Sequence, residues 1–105
     1  MLNQFVIVGR LTKNIQLEKN NGKGKAKLTL SVNRPFKNEE GIYETDIISC
    51  YLWSSVAENT ATYCCKGDII GVKGRIETNE NKETILTAEK VTFLSNNKKN
   101  EEEEE

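Results

Sequence analysis

The chain has 105 residues, 36% of them hydrophobic and 30% charged, and it contains no histidine. That length holds one domain with a single modest core, room for a five- or six-stranded barrel but not for a two-domain enzyme. No apolar run approaches the roughly 20 residues that cross a bilayer, so no membrane partner is expected. Met1–Phe5 carries neither a basic region nor a cleavage pattern, which predicts a cytoplasmic setting.

The formal net charge of −1 conceals an asymmetry. Residues 1–37 carry eight basic side chains against Glu18 alone, a local charge of +7, whereas residues 38–95 amount to −5 and residues 96–105 to −3. The first segment suits a polyanionic partner even though the whole chain is mildly acidic. The three cysteines, Cys50, Cys64 and Cys65, make a poor disulfide framework, and with no C-x-x-C pair and no histidine they do not compose a zinc site. They read as a buried small residue and a helix end in a reducing compartment, and no cofactor is expected.

In chain order, Phe5, Ile7, Gly9 and Leu11 alternate with Val6, Val8 and Arg10, a first strand that is apolar on both faces for most of its length. One face meets a core; the other calls for a cover, for which a second subunit is the simple candidate. Asn20–Gly24 is a turn cluster. A second strand follows, with Leu28, Leu30 and Val32 on one side and Lys27, Thr29 and Ser31 on the other; Pro35 is expected to end it, having no N–H for a ladder. After a loop at 37–41, a third strand runs from about Glu44 to Trp53, with Ile48, Cys50 and Leu52 inward and Ile47, Ser49, Tyr51 and Trp53 on the less buried face.

Ser54 or Ser55 is placed to N-cap a short helix, with Glu58 as a capping-box partner of Ser55. Val56, Ala57, Thr60, Ala61 and Cys64 form its apolar stripe, and Gly67 is the expected left-handed stop. A fourth strand spans Asp68–Thr78, with Ile70, Val72, Gly74 and Ile76 on one face. A tight turn at 79–82 leads to a fifth strand, about Glu83–Leu94. Residues 96–105 are polar, end in five glutamates and predict a disordered acidic tail beyond a domain of residues 1–95. The tail reads either as a solubilising end or as a DNA mimic that competes for a basic groove. Three strands, a helix and two strands is the order of an all-β, five-stranded Greek-key OB-fold barrel with its helix between strands three and four.

Several stretches resemble the bacterial single-stranded DNA-binding proteins, the SSB family. They are Met1-Leu-Asn-Gln with Val8-Gly-Arg-Leu-Thr-Lys13, Leu30-Ser-Val-Asn-Arg-Pro-Phe-Lys-Asn38, Ala57-Glu-Asn-Thr-Ala-Thr-Tyr63 with Lys66-Gly67, and Gly71-Val-Lys-Gly-Arg-Ile76. Each is weak alone; four in order are specific. The resemblance implies an OB-fold, a homotetramer built partly through the first strand, and sequence-tolerant binding of single-stranded DNA in replication, recombination and repair. It also implies the bacterial cytoplasm or nucleoid, or a phage or plasmid origin. Phe36 and Trp53 fall at family stacking positions, and Arg34 and Lys66 at positions that are often basic. Ile47 falls where the family usually has an aromatic residue, the turn at 79–82 is shorter than the family hairpin, and the closing glutamates lack the hydrophobic tip through which the family docks partner proteins.

The residues themselves support such a binder, since every base offers a π-face to a ring and every linkage a phosphate to a cation. Trp53 shares the mixed face with Ser49 and Tyr51, which favours stacking over core packing. Phe36, after a proline at a strand end, reads as functional; Tyr51 serves either as a platform or as a rim residue. Arg34, Lys37, Lys66, Lys73 and Arg75 are the preferred phosphate contacts, with Lys27 beside them. Lys23, Lys25 and Lys27 read equally as a solvated hairpin or as a phosphate-binding cluster. Phe5, Val6, Val8 and Arg10 are the expected subunit interface, Phe5 and Phe93 being either core or interface, and Tyr43 and Tyr63 are assigned to structure. A nuclease would need clustered carboxylates; Asp46 has no evident carboxylate partner and Asp68 reads as a turn residue, so no enzyme is expected. The rival reading is an OB-fold interaction module or a paralogue with weakened DNA binding, favoured by Ile47 and the short hairpin.

Overall fold

An inner row of apolar residues at every second position builds the longest pair of strands. In the computed structural model, which describes residues 1–20 and 22–95, these are β3 (Lys23–Lys37) and β4 (Tyr43–Trp53). The other elements are β1 (Phe5–Leu11), β2 (Leu17–Asn20), α1 (Ser54–Tyr63), β5 (Ile69–Thr78) and β6 (Thr84–Ser95). The expected acidic tail, residues 96–105, lies outside the described residues. Among those described, no helix is long and apolar enough to cross a membrane.

The sheet runs β1-β5-β6-β4-β3-β2, and a further antiparallel pairing of β1 with β3 closes it. Five strands, β1, β3, β4, β6 and β5, therefore form the ring of the predicted OB-fold barrel, with β4 and β6 meeting in parallel at Tyr51 and Thr87. Inward residues from all sides fill it. Leu28 and Leu30 from β3, Cys50 and Leu52 from β4, and Ile70 and Val72 from β5 are essentially inaccessible to solvent. Each buried aliphatic side chain of this kind contributes roughly 1.5–3 kcal/mol. Phe5 and Leu11 add the inner face of β1, and Ala57 and Cys64 bring α1 against the core.

Four local expectations need correction. Asn20, Lys23 and Gly24, expected in a turn, belong to strands: Leu17–Asn20 forms β2, a strand not expected from the sequence, and pairs with Lys23–Ala26. Pro35 does not end its strand. Asn33 pairs with Thr45 and Lys37 with Tyr43, so three residues of β3 face one of β4 in a bulge, and the missing proline N–H falls where the ladder is already interrupted. No serine caps α1: Trp53 is the N-cap, no side chain bonds the free amides, and Ser54 takes a left-handed φ of +53°. The helix start is set by β4 running directly into it and by burial of Ala57 and Thr60. Ile76, expected to share the face of Ile70 and Val72, does not share their burial and is exposed where β5 runs on towards its final turn.

Gly67 is left-handed, with a φ of +96°, but it does not stop the helix: α1 already ends at Tyr63 with Cys64 extended as its C-cap, and Gly67 lies in the turn that leads to β5. Gly74 has a different duty. A Cβ built there would lie 1.9 Å from the Thr87 carbonyl oxygen and 2.9 Å from Cε2 of Phe5, at a register shift between β5 and β6. Gly74→Ala is therefore expected to lower the unfolding free energy in urea by about 1–3 kcal/mol through overpacking. Gly71→Ala, whose Cβ would meet nothing closer than 3.7 Å, should stay within about 0.5 kcal/mol. Equal effects would contradict the close β5–β6 approach.

Candidate nucleic-acid interface

The β3–β4 ladder decides which side chains share a face. Inward pairs are Ala26 with Leu52, Leu28 with Cys50 and Leu30 with Ile48; outward pairs are Lys25 with Trp53, Lys27 with Tyr51, Thr29 with Ser49 and Ser31 with Ile47. Two lysines thus stand directly across from two aromatic rings. The Lys25 ammonium sits 5.1 Å from the Trp53 ring centroid and 5.8 Å from that of Tyr51, within reach of the ring quadrupole. Trp53 is 46% exposed and Ile47 64%, so this face is open despite the isoleucine at one of its positions. Thr29 and Ser49 join hydroxyls at 3.2 Å in its middle.

A groove of about 520 Å³ opens beside this face, walled by the chain between β1 and β2 (Lys13, Asn14, Gln16) and by Glu18, and floored by Lys25, Ala26, Lys27 and Tyr51. Lys66 lies at its lip: its backbone N–H donates to Oδ1 of Asn14, 2.7 Å away. The far end of the ribbon repeats the pairing of cation and ring. Lys37 stands across from Tyr43, its ammonium 5.7 Å from the ring centroid, and Tyr43 and Phe36 are 56% and 62% exposed. The hairpin tip is held by Asn38, whose Oδ1 accepts from the N–H groups of Glu40 and Ile42. Tyr43 to Trp53 spans ten residue steps, roughly 33 Å of extended chain.

The arginines behave differently from the lysines. Arg34 continues the row of Leu28, Leu30 and Val32, the opposite side of the ribbon from Trp53. There it donates from Nε and Nη2 to Asp46, at 3.1 and 3.0 Å, and from Nη1 to Glu44. The hydrogen bonds to Asp46 come first in holding the guanidinium charged, and the same bonds pull the Asp46 carboxyl below the usual aspartate range. A depressed carboxyl adds stability above the unfolded value of about 3.9 and loses it as pH falls through its lower folded value, so this clamp is intact at neutral pH. Arg75 is likewise engaged, with Glu77 at 3.2 Å and Glu89 at 3.1 Å. Arg34 and Arg75 are thus both tied to pairs of carboxylates.

The residues expected to contact nucleic acid are therefore divided. Tyr51 and Lys27 line the groove, with Trp53 on the same outward face and Lys66 beside the groove; Phe36 and Lys37 stand at the other end of the same ribbon. Arg34 is turned to the reverse face and neutralised. Lys73 and Arg75 lie on β5, where Lys73 pairs with Val6, on the barrel side that carries Val6 and Val8. Of the expected interface residues, Val6 and Val8 are exposed, Phe5 is packed in the core, and Arg10 donates to the Gly67 carbonyl at 2.7 Å. Lys13, not singled out in the sequence, and Tyr43, assigned to structure, also stand on this surface. Tyr43 shares the parity of Tyr51 and Trp53, a signal present in the residues; Lys13 has no periodic signal and is brought in by the path of the loop. Tyr63, also assigned to structure, is exposed beside Phe93, their centroids 6.2 Å apart.

Nucleophile and metal chemistry find little here. Burial pushes the Cys50 and Cys64 thiols up to about 11, which keeps them protonated. Among the described residues, no group of three or more Cys, Asp or Glu side chains is placed to hold a metal ion. Asp68 is buried and accepts from the Cys65 N–H at 2.9 Å, closing the turn before β5.

The profile of the single-strand binding protein family matches residues 2–100. The chain belongs to that family. Single-stranded DNA-binding protein B of Bacillus subtilis is 50% identical over 103 residues, covering 90% of this chain and 91% of its own length. The single-stranded DNA-binding protein of Halalkalibacterium halodurans is 47% identical over 103 residues, and there the chain spans 61% of the relative. Among solved structures, a deletion mutant of the single-stranded DNA binding protein from Thermus aquaticus superposes with a TM-score of 0.73 at 26% identity, over 90% of this chain and 51% of that one. This family member thus has the barrel that its element order predicts.

The clamp at the back of the ribbon can be tested alone. Followed by NMR, the Asp46 carboxyl should titrate below a free aspartate and return to the ordinary range in Arg34→Gln. An Asp46 that titrates normally in the unmodified chain would contradict the clamp.

Proposed function

We propose that this chain binds single-stranded DNA with little regard to sequence, bases stacking on the outward rings of β3–β4 while lysines meet the phosphates. The observation that carries this reading is the direct pairing of Lys25 with Trp53 and of Lys27 with Tyr51 on an open face. A ring accepts any base and an ammonium any phosphate, so this chemistry needs no base-edge code. Relatives named as single-stranded DNA-binding proteins over nearly the whole chain support the same conclusion. The role that follows is the covering of exposed strands in replication, recombination and repair, as a binder and not as an enzyme.

The adaptor reading loses its main support on this surface. The ring absent at Ile47 is offset by Tyr43, four residues away on the same face, and by exposed Phe36. Assembly of several copies is part of the proposal. Val6 and Val8, 65% and 53% exposed, project from β1, Val8 beside Gly71, whose neighbourhood includes Leu94. This apolar strip suits a second copy, and a homotetramer would set four ribbons along one strand, multiplying weak contacts into tight binding.

Titration with oligothymidine should quench Trp53, the only tryptophan. Replacing another ring of the face, Tyr51→Ala, should cost about 1–3 kcal/mol of affinity. For the unmodified chain, the logarithm of affinity should fall with that of salt by about 0.7 per phosphate neutralised. An unquenched Trp53 at every salt concentration would contradict the site.

A further inference from the structure

The geometry points to Lys25 as an exchange residue: its ammonium covers the Trp53 and Tyr51 rings in the free chain, yields them to an incoming base and then takes a backbone phosphate. This rests on the reading of the ribbon as a single-strand site. Lys25 is the direct cross-strand partner of Trp53, so the register itself brings the ammonium over the ring. It is held there by the rings and not by a carboxylate. Its neighbour on the other side is Glu18, yet among the described residues no carboxylate forms an ion pair with Lys25. Lys25 also lines the groove with Tyr51, which places it on the side from which a strand would approach.

A stacked base must lie in van der Waals contact, about 3.5–4 Å from the ring. An ammonium 5.1 Å from the Trp53 centroid stands on that approach, and the two occupants exclude each other on one face. The four-carbon stem of lysine lets the charge swing aside without moving the strand. Lys37 over Tyr43 repeats the arrangement at the other end of the ribbon. Exchange makes Lys25 a residue with two opposed effects. It competes with the base at any salt concentration, and it rewards binding through a phosphate contact that salt weakens.

Two variants separate these effects. Lys25→Thr uncovers the rings and suits a strand; Lys25→Met keeps the stem and removes the charge. In free protein, acrylamide should quench Trp53 more strongly in K25T than in the unmodified chain. With oligothymidine, both variants should show a salt slope shallower by about 0.7, one phosphate on a single strand. The K25T line should then cross that of the unmodified chain, binding more weakly at low salt and about two- to five-fold more tightly at high salt. Lines that converge without crossing would overturn the exchange in favour of a fixed phosphate contact. An unchanged slope in K25M, which retains the packing of the stem, would overturn it without reliance on K25T. Failure of the unmodified chain to quench would instead overturn the site and the exchange together.

Discussion

Everything on the functional face depends on the register of one antiparallel pair. With Leu28 across from Cys50 and Leu30 across from Ile48, the inner face of β3–β4 is apolar and the barrel can close on it. The same register leaves Lys25 across from Trp53 and Lys27 across from Tyr51 on the outside. A slip of one residue would put the lysines into the core and the leucines into water. Burial of the inner row therefore holds the outer row in place, and the packing that stabilises the barrel also arranges cations beside rings. No separate device is needed to build the surface.

The distribution of charge follows a second rule. Both arginines that lie on the strands beyond β1 are tied to carboxylates, Arg34 to Asp46 and Glu44 and Arg75 to Glu77 and Glu89. A guanidinium matches a carboxylate with a planar fork and keeps its partners. Arg34 uses that fork where the ribbon leaves the barrel and its core-side row has nothing apolar left to meet. Of the outer-face lysines, Lys25 and Lys37 lie over rings, in contacts that water and phosphate can replace. Rigidity is thus given to the arginines and adaptability to the lysines, which suits a surface that must accept any base.

Much of this was legible in the residues. The apolar alternation at Leu28–Val32 and at Ile48–Leu52 and the helix stripe specified the order of elements, and that order implied the barrel. The exposed side of Trp53 followed from its parity with Ser49 and Tyr51. What the residues did not show was pairing between segments distant in sequence. The partner of Arg34 is twelve positions away and depends on the β3–β4 register, so a cation that counts as free by composition is neutral by contact. Pro35 misled because a missing N–H argues against a ladder only where a ladder bond would fall, and a bulge removes that demand. The serines that open α1 misled because capping preference is a modest local term, and continuity from β4 overrode it. Lys25 could not be separated from its neighbours in the hairpin until the register put Trp53 opposite.

The account makes one structural claim that can be seen directly. In a crystal structure of the chain with bound oligothymidine, bases should lie flat against Trp53 and against Phe36 or Tyr43, with phosphates within reach of the outer-face lysines and the Arg34–Asp46 pair undisturbed. A strand running instead across β1 and β5, with those rings unoccupied, would contradict it.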